Sequence, residues 1–253
     1  MGTVMNIEVI TSFNSSYYNN IGRACVSSWL QYWPKTMSLT CYVEDCKLES
    51  HRRINQIDFN QLGNDYLNFQ SRDIHSQEKK FAKKAYCVIH AMDNSSADWI
   101  VWIDSDVVSL QTINQSILDY ITPKNKLASC LGVWYYEDKN LNEGKYYVPE
   151  TGIFSLNRQH QYFEQVKNTY SNHYNNYEWS GLRRRLDNDA FGSALLPYLS
   201  QVNDMCADLT KPYKTPLPHT KLGPYLKHYK AKHSKVDLDI DFDQWPTYLT
   251  VVQ

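Results

Sequence analysis

The chain has 253 residues with 26 basic and 27 acidic side chains, a net charge of -1 at pH 7. That length buries a sizeable core in one domain, and the 42% hydrophobic and 21% charged content excludes a disordered or fibrous protein. The balanced charge supplies no field to attract nucleic acid or an anionic membrane, so no nucleic-acid partner is expected.

From Asn6 to Ile10 the sequence is apolar and β-branched, and Thr11-Ser12-Phe13-Asn14 breaks it with small polar residues, which predicts a buried strand ending in a loop. Ile21, Ala24, Cys25, Ser28, Trp29 and Tyr32 recur at helical spacing before Pro34 stops the pattern. A second strand follows over residues 38–43, and strand, helix, strand in that order predicts a right-handed parallel crossover. Residues 47–73 are polar and weakly periodic and read as helical fragments and loop. From Ser76 to Met92, Phe81, Ala85, Val88, Ile89 and Met92 line one helical stripe, with Lys79, Lys80, Lys83 and Lys84 near its start.

Trp99-Ile100-Val101-Trp102-Ile103 is then an unbroken apolar run, the pattern of a strand buried on both faces. It ends in Asp104-Ser105-Asp106, and in open α/β sheets ligands bind at the carboxyl ends of strands. Further strands are expected over 127–134 and 146–156, the latter interrupted by Pro149-Glu150-Thr151-Gly152, and helices over 159–170 and 188–198. The tail from Thr210, with Pro212, Pro216, Pro218 and Pro224, three histidines and many lysines, reads as an extended strap.

Two aspartates at a strand end offer hard oxygen ligands suited to Mn²⁺ or Mg²⁺ and to the phosphates such an ion bridges. Asp-x-Asp also occurs by chance in turns. Directly after a buried strand, however, the two carboxylates repel each other unless a cation compensates, and this favours a metal site. The 20 tyrosines and 7 tryptophans fit a surface that stacks on sugar or base rings, although tyrosine also packs cores. Six cysteines without a CxxC pair read as reduced thiols in a cytoplasmic protein. No apolar stretch reaches the roughly 18 residues of a membrane span, and Met1-Gly2-Thr3-Val4 lacks a signal layout. A soluble bacterial or viral enzyme is the expectation.

The stretches from Phe81 to Tyr86 and from Ala97 to Asp106 resemble the core of GT-A nucleotide-sugar transferases. More loosely, the resemblance extends to the strand from Asn6, to 150–156, to 186–191 and to His228. It implies an α/β GT-A (Rossmann-like) fold, a central mostly parallel sheet flanked by helices. Residues 1–209 would form the catalytic domain, with 210–253 a tail packed over the donor site as part of the same domain. In that family Asp-x-Asp binds the divalent metal and the nucleotide diphosphate. The resemblance therefore implies Asp104, Asp106 and His228 as metal ligands, with His233 a rival, since His228-Tyr229-Lys230-Ala231 has alanine where the family's His-x-x-Gly has glycine.

It also implies donor contacts from Thr11, Ser12, Phe13 and Asn14, with Tyr17 a stacking partner, and from Lys84, Asp104, Ser105, Glu150, Thr151, Gly152 and Lys232. Asp189, and after it Asp187, are the candidate catalytic carboxylates. For each the bland alternative is ordinary: a strand exit, a solvated lysine face, a bulge at Gly152, a helix cap at Asp187-Asn188-Asp189. The implied reaction moves a sugar from a nucleotide diphosphate, with a UDP-sugar favoured, to a hydroxyl on a glycan or other acceptor, with inversion or retention left open. A sugar-phosphate nucleotidyltransferase is disfavoured because 11–14 lacks a glycine-rich basic loop. A non-catalytic carbohydrate-binding protein would have no use for the two aspartates.

Overall fold

The computed structural model describes residues 5–136, 145–180, 182, 184–209, 215–229 and 251–252. The first strand, β1 (Ile7–Asn14), leads through a helical turn, α1 (Ser15–Tyr17), and a π-helical turn (Tyr18–Gly22) into α2 (Arg23–Tyr32). The chain returns as β2 (Leu39–Glu44), parallel to β1 as the crossover predicted. A short β3 (Lys47–Leu48), β4 (Ile54–Asp58) and α3 (Asn64–Ser71) precede the long α4 (Ser76–Asn94) and the central β5 (Trp99–Ile103). Then come β6 (Val107–Ser109), α5 (Gln115–Ile121), β7 (Ala128–Tyr136), β8 (Lys145–Asn157), α6 (Phe163–Asn175) and α7 (Asp187–Leu195). Last are β9 (Val202–Asp204), β10 (Leu226–His228) and β11 (Val251–Val252).

Among the described residues the main sheet has seven strands in the order β4-β2-β1-β5-β8-β7-β9. β4, β2, β1 and β5 are mutually parallel, and β8 runs antiparallel between β5 and β7. Side chains alternate across a strand, so neighbouring residues feed opposite layers. Ile10, Tyr42, Ile100, Trp102 and Phe154 pack with residues of α4, α6 and α7. Val9, Cys41, Val43, Val101, Ile103 and Ile153 pack with α2 and α5 on the other face. This two-sided burial explains why β5 reads as a continuous apolar run.

Two segments differ from the sequence expectation. β1 does not break at Thr11 but pairs with β2 through Asn14, with Thr11 fully buried and Phe13 packed on Tyr18 at 4.9 Å between ring centroids. Its polar residues sit against thiols of the flanking helices, Thr11 beside Cys25 on one face and Ser12 beside Cys87 on the other. The weakly periodic 47–73 segment contains the sheet's edge strand β4, whose signal is masked by polar side chains. One of them, Gln56, uses its amide to hold both the N–H and the C=O of Leu48, at 2.7 and 2.9 Å.

Smaller shifts concern helix ends: α6 starts at Phe163 and α7 stops at Leu195, where a 3-10 turn takes over. The six cysteines are free thiols. Among the described residues no helix is long and apolar enough to cross a membrane. Of the expected strap, 210–214 and 230–250, with Lys232 and His233, lie outside the described residues.

Arg53 is the buried charge that ties this frame together. Its guanidinium donates to the carbonyls of Leu30, Trp33, Pro34 and Met37, closing the C-terminal end of α2, and it lies 4.5 Å over the Trp29 ring. Arg53→Met removes these four charge-assisted hydrogen bonds, so a loss of about 2–4 kcal/mol in unfolding free energy is expected in urea titrations. A change under about 0.5 kcal/mol, the ordinary surface value, would contradict this role.

Candidate metal and donor site

The central strand β5 delivers Asp104 to its C-terminal end, where the Asp104 N–H still pairs with the Gly152 carbonyl of β8 at 2.8 Å. The chain then turns tightly, Val107 N–H bonding Asp104 C=O at 2.9 Å, so Asp106 stands beside Asp104 before β6 begins. Across from β6 lies β10, antiparallel to it with His228 opposite Val107, and Tyr229 N–H bonds Asp106 C=O at 2.8 Å. A small two-stranded ladder thus carries a distant histidine to the aspartates. One ligand atom from each of Asp104, Asp106 and His228 lies within 4.8 Å of the others, and these three could hold a metal ion.

Every group in this cluster is held by neighbours. His228 Nε2 is 3.0 Å from Asp106 Oδ1 and 3.8 Å from Asp104 Oδ2, and its Nδ1 is 3.4 Å from Glu150 Oε1. Tyr17 donates its hydroxyl to Asp106 Oδ2 at 2.9 Å. Trp102 Nε1 and Lys84 Nζ both donate to Asp104 Oδ1 at 2.7 Å. Lys84 also reaches Asp187 Oδ2 at 3.2 Å and bonds the Thr151 carbonyl, while Thr151 Oγ1 donates to Asp187 at 2.7 Å. Gly152 makes room for this arrangement. A Cβ there would stand 2.5 Å from His228 Cε1 and 2.6 Å from Nδ1, closer than side-chain atoms approach.

Four carboxylates, those of Asp104, Asp106, Glu150 and Asp187, therefore meet two cationic groups, Lys84 and His228. Burial raises the Asp104 pKa, with Asp106 adding to the rise and Lys84 and His228 opposing it. Burial opposes charge on His228, but its hydrogen bonds to Asp106 and Glu150 win and hold its pKa at about 10. Burial alone would neutralise Lys84, yet Asp104 and Asp187 keep it charged, with the pKa raised. The Tyr17 hydroxyl is pushed well up by burial and by Asp106, so it stays a donor. Without metal, a protonated imidazole offsets the carboxylates. Two carboxylate oxygens and one imidazole nitrogen in an acid-rich pocket fit a divalent ion such as Mn²⁺ or Mg²⁺.

The residues singled out from sequence fall into three groups. Asp104, Asp106, His228, Lys84, Glu150, Thr151, Gly152, Asp187 and Tyr17 converge on this one cluster. Tyr17 does so through its hydroxyl on Asp106. Asn14 caps α1 through Tyr17 N–H at 2.7 Å and so aims that side chain. Thr11, Ser12 and Phe13 lie within the sheet packing, and Ser105 is buried in the turn between the two aspartates. Asp189 is apart from Asp187: its Oδ2 accepts from Arg184 Nε at 3.1 Å. Trp102 is the member that sequence reasoning missed, although its signal was there. Two residues before Asp104 it shares that residue's face of the strand.

No protein-family model matches the chain, and no curated protein matches it by sequence. Solved structures do match. The bifunctional glycosyltransferase WbbM in its apo form superposes with a TM-score of 0.55 at 15% identity, over 91% of this chain and 46% of that one. Apo mouse xyloside xylosyltransferase 1 gives 0.50 at 10% identity, over 78% and 84% of the two chains. The galactosyltransferase LgtC with donor and acceptor sugar analogues gives 0.50 at 14% identity, over 89% and 87%. The chain spans less than half the length of the WbbM structure and most of the other two. At these identities the likeness is one of fold, and the chain has the GT-A fold of these glycosyltransferases.

Two outcomes follow from the geometry. Gly152→Ala is expected to push His228 off Asp106, and Tyr17→Phe to remove the hydroxyl bond that orients Asp106. Each should weaken Mn²⁺ binding measured by calorimetry, by about 10–100-fold for the loss of an orienting contact; wild-type affinity in both would contradict the arrangement. Because the folded-state pKa of His228, about 10, lies above its ordinary 6.5, its stabilising proton is fully bound below the lower value and lost as pH rises through the upper one. The metal-free fold should lose stability over that window, while Mn²⁺ affinity rises and binding releases a proton. Calorimetry in buffers of different ionisation enthalpy reads that proton, and its absence would place His228 outside the ligand set.

Proposed function

We propose that this protein is a metal-dependent glycosyltransferase that moves a sugar from a nucleotide-diphosphate donor, a UDP-sugar by preference, to a hydroxyl of a glycan or other acceptor. The observation that carries this reading is the Asp104, Asp106, His228 cluster at the carboxyl end of the central strand of a GT-A fold. A divalent ion in that cluster, Mn²⁺ or Mg²⁺, would supply charge neutralisation at the diphosphate leaving group.

In the reaction the bond between the anomeric carbon and the β-phosphate oxygen breaks and a bond from the acceptor oxygen forms. Lys84, held charged between Asp104 and Asp187, stabilises negative charge as it develops on the departing oxygens. Asn14 and Tyr17, at the carboxyl end of β1, would bound the nucleotide, with Thr11, Ser12, Phe13 and Ser105 in the same proposed donor set. Glu150, Thr151 and Gly152 line the sugar side, and Lys232 belongs to the same proposed donor set. Asp187 and Asp189 are the proposed catalytic carboxylates. Both are ion-paired, to Lys84 and to Arg184, so each is already engaged by a cation rather than open to the acceptor hydroxyl. That favours a course in which the acceptor proton leaves with the diphosphate and anomeric configuration is retained, with Asp187 holding the donor sugar.

The test is hydrolysis of a panel of UDP- and GDP-sugars with Mn²⁺ and with EDTA, in wild type and Asp106→Ala. Turnover of one donor, lost with EDTA and reduced by a factor on the order of 10² or more in the variant, is expected. No metal-dependent turnover or nucleotide binding across the panel would favour a carbohydrate-binding protein instead.

A further inference from the structure

We infer that a groove beside the metal cluster is the acceptor site and that Arg184 and Arg185 select an acceptor carrying an anionic group, an acidic glycan rather than a neutral one. The inference rests on the transferase reading above. The groove, about 300 Å³, is lined by His75, Gln77 and Glu78 from the start of α4 and by Arg184, Arg185 and Leu186 from the segment entering α7. That volume suits a sugar-sized ligand. Each of its two walls is continuous along the chain with a residue of the cluster. Leu186 is the residue before Asp187, which pairs with Lys84, and Glu78 precedes Lys84 on α4 by about 9 Å of helix rise. A sugar in the groove therefore lies next to the place where the donor sugar is released.

The arginines are anchored yet open. Arg184 spends its Nε on Asp189, whose side chain is 3% exposed, while 43% of its own side chain stays accessible. Arg185 uses Nη1 on the Tyr177 hydroxyl at 2.6 Å and on Glu78 at 3.5 Å and is 48% exposed. A guanidinium has five N–H donors in a fixed fork, so these contacts orient each side chain and leave donors for a ligand. Tyr177 completes the brace: its hydroxyl donates to Glu78 at 2.7 Å, and its ring lies between Arg185 and Arg72 at 5.0 and 5.2 Å. Arg184 and Arg185 pair with Asp189 and Glu78, and Arg72, near the same Tyr177 ring, brings a third guanidinium to this brace. Pre-oriented arginines of this kind favour carboxylate or phosphate through charge-assisted, bidentate hydrogen bonds.

The test uses binding, read from ¹⁵N shifts of the arginine Nε–H groups. Methyl glucoside and methyl galactoside are compared with the corresponding methyl uronates and methyl glycoside 6-phosphates, on wild type, Arg184→Gln and Arg185→Gln. At least one acid should bind about tenfold more tightly than its neutral counterpart, with Arg184 and Arg185 signals shifting, and each substitution should remove that preference. The stronger of uronate and phosphate names the source of the anion. Equal binding of acids and neutrals, a preference surviving in both variants, or no acid binding overturns the inference. Mn²⁺-dependent UDP binding on the same wild-type sample separates the two readings. UDP binding without acid preference sinks the acceptor inference alone, loss of both sinks the transferase reading as well, and acid preference without UDP binding overturns the groove's role as an acceptor site.

Discussion

Four carboxylates gathered at one end of a sheet constitute the constraint around which this structure is organised. Bringing Asp104, Asp106, Glu150 and Asp187 together in a largely buried pocket is unfavourable unless positive charge is brought with them. The chain supplies it from two distant places, Lys84 on the long helix before the central strand and His228 on a short strand more than 120 residues after it. Neither cation is placed by its own flexibility. Lys84 is fixed by the α4 packing and the Thr151 carbonyl, and His228 by the β6–β10 ladder and the space left at Gly152. The balance is one that a divalent ion can join, since a bound metal takes over the charge that the imidazole proton carries in its absence.

How much of this the sequence discloses depends on the range of the interaction. The buried β5 run and the aspartates after it are contiguous, so period and position along the strand sufficed to place Asp104 and Asp106 at a ligand-binding edge. β4 was hidden because an edge strand half-covered by polar residues has no apolar alternation, and Gln56 replaces a backbone partner with a side-chain amide. β1 ran four residues further than expected because its pairing with β2 continues through Asn14, with Thr11 and Ser12 covered by Cys25 and Cys87 of the flanking helices, information that lies outside the strand. His228 could be named only through resemblance, and its rival His233 lies outside the described residues. Nothing local announces that residue 228 pairs opposite residue 107.

The pair Arg184-Arg185 illustrates the same limit from the surface side. Its meaning comes from partners far along the chain, Glu78 at the start of α4 and the Tyr177 hydroxyl, and from Asp189, which helix periodicity assigns to a cap. The two acids of Asp187-Asn188-Asp189 consequently serve different surroundings, Asp187 facing the lysine of the metal cluster and Asp189 anchoring an arginine of the groove. One helix start thereby joins the two regions that a transferase needs side by side.

The central claim is that Asp104, Asp106 and His228 form one divalent-metal site that a nucleotide diphosphate shares. Electron paramagnetic resonance of Mn²⁺ titrated into the protein with UDP tests it without reliance on turnover. The account predicts one tightly bound Mn²⁺ per chain, whose spectrum changes on UDP addition, and its loss in the Asp104→Asn, Asp106→Asn double variant. Mn²⁺ that stays free in the wild type, or that binds equally in the variant, would contradict it.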